Sequence, residues 1–128
     1  MTPFELACLF IRKGVQDEDA AAALLENNDI ADEIIGFHCQ QAAEKSMKAV
    51  LIARKIEFRK THDLEELLQL IEDNEIEKPE NAEDLDELEP FAVAFRYDLL
   101  DDTSLFDRKK AIEIVRKVRA WAEMQISK

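Results

Sequence analysis

From Phe37 to Leu51 the chain reads Phe-His-Cys-Gln-Gln-Ala-Ala-Glu-Lys-Ser-Met-Lys-Ala-Val-Leu, with no glycine or proline. At about 100° per residue two faces separate. Ile35, Cys39, Ala42, Ala43, Ser46, Met47 and Val50 gather on one side, and Gln41, Glu44, Lys45 and Lys48 on the other. The pattern predicts one helix near residues 30–55, with Asp29 or Asp32 as its cap. Its apolar side is built of small residues, so a neighbouring helix backbone can come close. The polar row, at i, i+3, i+4 and i+7 spacing, reads as a solvated face. Glu44 and Lys48 stand there in the favourable acid-before-base order, worth a few tenths of a kcal/mol, roughly.

The same periodicity predicts four further segments. Thr2-Pro-Phe-Glu5 has the form of a capping box with proline at the first helical position. Phe4, Ala7, Cys8, Ile11 and Val15 then recur at helical spacing. Gly14, costing roughly 1 kcal/mol against alanine, is where this helix is expected to bend or stop. Glu26-Asn-Asn-Asp29 ends the element. Thr61 or Asp63 caps a third helix whose buried stripe is Leu64, Leu67, Leu68 and Ile71. Residues 73–81 read as an acidic surface loop. A fourth helix carries Leu85, Leu88, Ala92, Phe95 and Leu99, with Pro90 expected to kink or restart it. A last helix from about Ser104 buries Phe106, Ala111, Ile114, Val115, Val118 and Trp121.

Composition narrows the fold. The chain has 128 residues, two glycines and three prolines. So few turn formers disfavour a β-rich fold. Short links between helices imply antiparallel neighbours, and the expected architecture is an all-α, up-and-down antiparallel four-helix bundle with an additional short helix, as a single domain over 1–128. The net charge of −12 repels nucleic acid as a whole, so any phosphate contact has to come from a local basic patch. Cys8 and Cys39 sit among apolar residues and read as free core thiols, with no spacing that would hold zinc. No basic leader and no run of about 20 apolar residues is present, which points to a cytoplasmic protein away from membranes.

Three polar clusters carry candidate chemistry: Gln41, Glu44, Lys45 and Lys48 on the second helix; Lys60, His62 and Asp63 at the start of the third; and Arg96, Tyr97 and Asp98 on the fourth. A guanidinium beside an apolar stripe must be paired or must line a cleft, and Glu44 is the natural partner for Arg96. His62, at a helix N-terminus, suits a hydrogen-bonding role better than a cationic one. His38 reads as surface or filler. No nucleophile–His–acid set is recognisable, no Gly-rich phosphate loop is possible with two glycines, and no metal or cofactor is implied.

The residues Phe37 to Leu51, Thr61-His-Asp-Leu64 with Leu67-Leu68, and Arg96-Tyr97 together resemble the prokaryotic HEPN domain over about residues 15–125. The resemblance implies a helical bundle with a four-helix core, often homodimeric, linked to small nucleotidyltransferase partners, toxin–antitoxin systems or RNA processing. Many members are metal-independent ribonucleases that use an Arg followed by four to six residues and a His. Arg96 matches that Arg, but Asp101, Asp102 and Thr103 stand where the His belongs. Cleavage through an RNA 2′-hydroxyl needs a proton acceptor beside a charge stabiliser, and the departure removes the expected acceptor.

The first reading is therefore a non-catalytic HEPN-domain binding protein, a nucleotide- or nucleic-acid-associated partner subunit of a minimal nucleotidyltransferase. Lys45, Lys48 and Arg96 meet phosphate in it, Gln41 and Tyr97 orient the ligand, Glu44 positions the bases, and His62 and Asp63 complete the site. The rivals are a ribonuclease toxin using Arg96 with His62 or Asp101 as base, and a structural interaction protein. Phe4, Phe58, Phe91 and Phe106 are candidates for a subunit interface.

Overall fold

The computed structural model describes residues 1–92 and 106–128. Within them the chain is all-helical: α1 (Pro3–Leu24), α2 (Asp32–Ala53), α3 (Leu64–Asp73), a 3-10 segment (Ala82–Phe91) and α4 (Arg108–Ile126). Gly14 of α1 faces Ala42 of α2, while Asp17 bonds His38, so the first two helices run antiparallel. Arg108 bonds Asp32 and Arg54 bonds Gln125, so α4 runs parallel to α2 and antiparallel to α1. This is the up-and-down arrangement.

α2 is the hub. It packs on α1, α3, the 3-10 segment and α4. Twelve of its 22 residues are buried, which no helix with a free solvent face could show. The expected apolar side, Ile35 through Val50, is buried in full. The expected solvated side is not solvated: Glu44 is only 3% exposed, because α1 and the α2–α3 link cover the helix from two more directions.

Local signals set most helix ends. Thr2 closes the capping box, its Oγ1 accepting from the Glu5 amide at 3.1 Å while Glu5 Oε1 accepts from the Thr2 amide at 3.3 Å. Asp63, not Thr61, caps α3, accepting from the Glu65 and Glu66 amides at 3.0 and 3.3 Å. Thr61 accepts from the Asp63 amide instead.

Several expectations are corrected. Gly14 does not end α1, which runs unbroken through it. A Cβ there would sit 3.3 Å from the Ala42 carbonyl, so the missing side chain lets two backbones approach. Neither Asp29 nor Asp32 caps α2, whose cap residue is Ala31 with no side-chain bond. The segment around Leu85 and Leu88 is a 3-10 helix holding Pro90, and α4 begins at Arg108 behind the cap Asp107, four residues later than expected. Leu85 and Leu88 are buried as expected. Ala92 closes the described part of that pattern, and Phe95, Leu99 and Ser104 lie outside the described residues. Of the four aromatic interface candidates, only Phe4 is free at the surface. Phe91 covers Gly36 and packs against Phe106 with ring centres 4.8 Å apart and planes tilted by 57°, and Phe58 packs against the core under Lys48.

Candidate functional site

Four of the candidate residues, Gln41, Glu44, Lys48 and His62, meet where α2 passes under the α2–α3 link. The Glu44 carboxylate is the centre. Lys48, one turn on, donates to its Oε2 at 2.9 Å, and His62 Nδ1 lies 2.9 Å from its Oε1. Gln40 and Gln41 donate to the same Oε1 at 3.2 and 3.4 Å, and Gln41 also donates to the Gln40 side-chain Oε1 at 2.8 Å. Gln40 further donates to the His62 backbone carbonyl at 2.8 Å, which fixes the link over the helix. A buried carboxylate survives only with such partners. Here it is met by one ammonium, one imidazole and two amides.

The cluster is graded from inside to outside. Glu44 is buried, the Lys48 side chain is 11% exposed, and the His62 side chain is 61% exposed. The Lys48 ammonium also stands 5.7 Å from the centre of the Phe58 ring, within cation–π range. A carboxylate can only accept, so in the neutral ring the bond places the proton on His62 Nδ1 and leaves the Nε2 lone pair pointing away from it. Around this mouth the link Arg54–Thr61 holds four bases and one acid in a chain with 29 acids and 17 bases. Arg54 is tied to Gln125 and Arg59 to Glu66, while Lys55 and Lys60 are exposed.

Lys45 does not join this cluster. Its ammonium donates to Asp17 of α1, and the same carboxylate holds His38 Nδ1 at 2.9 Å. The row expected on one face thus splits between two neighbours. Asp63 is occupied as the α3 cap, beside the site and not in it. Arg96, Tyr97, Asp98, Asp101, Asp102 and Thr103 lie outside the described residues, as does the Arg96–Glu44 pairing. His38 is not filler but half of a second carboxylate–imidazole pair.

Sequence reasoning missed Gln40, which is fully buried and takes part in three of the cluster's bonds. The signal was available: Gln40 stands four residues before Glu44, the spacing of facing helical side chains. It also missed Asp17, for which an α1–α2 pairing had to be known first. Among the described residues no group of three or more His, Cys, Asp or Glu could hold a metal ion, and no helix is long and apolar enough to cross a membrane. A groove of about 480 Å³ lined by Asn81, Lys117, Trp121 and Met124, among others, shares no residue with the cluster.

Comparison with known proteins agrees with this architecture. The HEPN domain family matches residues 7–125, nearly the whole chain. A protein named "Putative toxin MJ1304", from Methanocaldococcus jannaschii, is 43% identical over 54 residues, which is 42% of this chain. That match spans only about a third (34%) of the relative's own length. No solved structure matches. With a family match running from α1 to the last turn of α4, on an all-helical chain, this protein belongs to the HEPN domain family.

Proposed function

We propose that the protein is a HEPN-family binding subunit that receives a phosphate-bearing ligand, a nucleotide or an RNA end, at the mouth of the Glu44 cluster. It works as a homodimer beside a minimal nucleotidyltransferase, in a toxin–antitoxin-like or RNA-processing setting. The toxin name of the relative supports that setting. One observation carries the reading: a buried carboxylate holds the nearly buried Lys48 and the exposed His62 under a link whose Lys55 and Lys60 are exposed, a locally basic run on a chain of net charge −12. Lys48 and Lys60 meet phosphate, and Gln41 supplies an amide. Arg96 and Tyr97 complete the site in this reading, and Lys45, held by Asp17, plays a supporting part.

Calorimetric titration with nucleoside triphosphates and with short RNA, alone and with a co-purified nucleotidyltransferase, tests this. Micromolar binding that weakens with added salt and with Lys60→Ala is expected. If neither ligand nor partner binds, and Lys48→Ala with Arg96→Ala changes nothing, the reading falls.

A second reading, a ribonuclease using Arg96 with His62 as base, is favoured by the Glu44–His62 bond, which leaves Nε2 as a proton acceptor. Growth arrest on expression, abolished by Arg96→Ala and by His62→Ala, is its expected result. RNA left intact by the purified protein would rule it out.

A further inference from the structure

We propose that His62 is a phosphoryl acceptor: Nε2 takes a phosphoryl group to form a phosphohistidine, with Glu44 as its positioning residue. The inference rests on the reading of this mouth as a place for phosphate, and it goes further in naming a covalent step.

Four features of the cluster fit that chemistry. A histidine nucleophile needs a free lone pair on a ring of fixed orientation. The Glu44 carboxylate, at 2.9 Å from Nδ1, holds the proton on that nitrogen and so leaves Nε2 as the nucleophile. The ring must be reachable, and its side chain is 61% exposed while Glu44 behind it is buried. The positive charge that grows on the ring during attack faces the carboxylate, which is already held by Lys48 and the Gln40 and Gln41 amides and needs no rearrangement to receive it. The incoming phosphoryl group is doubly negative, and the exposed Lys60 two residues before His62 offsets it locally. The other imidazole is the built-in comparison. His38 also bonds a carboxylate through Nδ1, but it is only 29% exposed, and the ammonium beside it, Lys45, is spent on the same Asp17.

The donor is a nucleoside triphosphate or a small phosphoramidate. With phosphoramidate, the Nε2 lone pair attacks phosphorus and an N–P bond forms. The donor's own P–N bond breaks, and its electron pair leaves on ammonia. The ring becomes cationic, and its Nδ1 proton stays in the bond to Glu44 or passes through it to water. With a nucleoside triphosphate the bridging P–O bond breaks instead, and the nucleoside diphosphate carries the electron pair away. No oxidant, reductant or metal enters the balance.

The experiment is incubation of the intact protein with potassium phosphoramidate, followed by intact mass, acid lability and fragment mapping. One acid-labile phosphoryl group on His62, several-fold over His38, is expected. His62→Gln, a change at an exposed side chain, should abolish it. Glu44→Gln should lower the label on His62 about tenfold while leaving His38 unchanged, a ratio that general destabilisation would not move. An absent label, an acid-stable one, equal labelling of the two histidines, or an acid-labile label surviving His62→Gln would each overturn the proposal. The nucleotide titration is scored separately. Binding without labelling leaves the ligand reading standing and ends this one; labelling without nucleotide binding does the reverse.

Discussion

Arg108, in the first turn of α4, reaches into the turn between α1 and α2. Its guanidinium donates to the backbone carbonyls of Leu24, Leu25, Asn27 and Ile30 and to Asp32 Oδ1 at 2.7 Å. Carbonyls at the end of α1 have no helical partners, and one rigid fork satisfies several at once. Arg108→Ala should therefore cost about 2–4 kcal/mol, read from urea unfolding midpoints, and Arg108→Lys should recover only part of it. Nothing in the sequence marks Arg108 above its neighbours Lys109 and Lys110, because its partners are backbone groups some 80 positions away. The cysteines show the opposite case. Burial pushes the Cys39 thiol up to about 12, with Glu18 and then Asp17 adding to it, while Cys8 is half-buried. In mildly alkaline buffer iodoacetamide should modify Cys8 first and leave Cys39 intact until the protein unfolds, as peptide mass mapping would show. That Cys39 is a core thiol was already legible from its place on the apolar side of α2.

At the scale of the elements, the two glycines mark where a neighbour comes closest. A Cβ on Gly36 would lie 2.5 Å from the Phe91 ring, so α2 and the 3-10 segment touch through the missing side chain. Gly36→Ala should destabilise by about 1–3 kcal/mol despite alanine's better helix propensity, and the penalty should shrink in a Phe91→Leu background, giving a measurable coupling in a double-mutant cycle. The sequence showed Pro90 as an obstacle to an α-helix but not the 3-10 geometry that accommodates it. The same segment supplies Glu89, whose Oε1 accepts from the Leu64 amide at the start of α3. Burial, chiefly, raises the Glu89 carboxyl above its ordinary value of 4.5; the Leu64 amide opposes this, and Asp63, Glu65 and Asp86 add to the rise. A carboxyl raised on folding binds its proton more tightly in the folded state. Its stabilising contribution is thus full below the unfolded value and lost as pH rises through the folded one. Glu89→Gln keeps an acceptor for Leu64 and should raise the thermal midpoint at neutral pH, with the gain fading as pH falls through the raised folded value and gone below the ordinary value of 4.5.

For the whole molecule the decisive matter is where charge is allowed inside. α4 carries six bases and two acids, and it lies against α1, where buried Glu18 takes bonds from Arg116 and Arg119. The Glu44 cluster is the counterpart on the other side of α2. Removing its anion by Glu44→Ala strands the nearly buried Lys48 ammonium and should cost about 3 kcal/mol, whereas replacing Glu44 and Lys48 together by apolar residues should cost less than the sum of the two single changes. Guanidinium unfolding of the three variants measures both quantities. By itself the sequence determined that the chain is helical, which residues form the apolar side of α2, that α2 is the helix to build around, and that Gln41, Glu44, Lys45 and Lys48 lie off that side. Only the tertiary structure decided that Lys45 turns to Asp17, that Lys48 turns to Glu44, and that His62 and Gln40 complete the cluster. The reason is geometric: the 3.6-residue period fixes the angle at which each side chain leaves its helix, but the partner found at that angle belongs to another element, and packing alone chooses it.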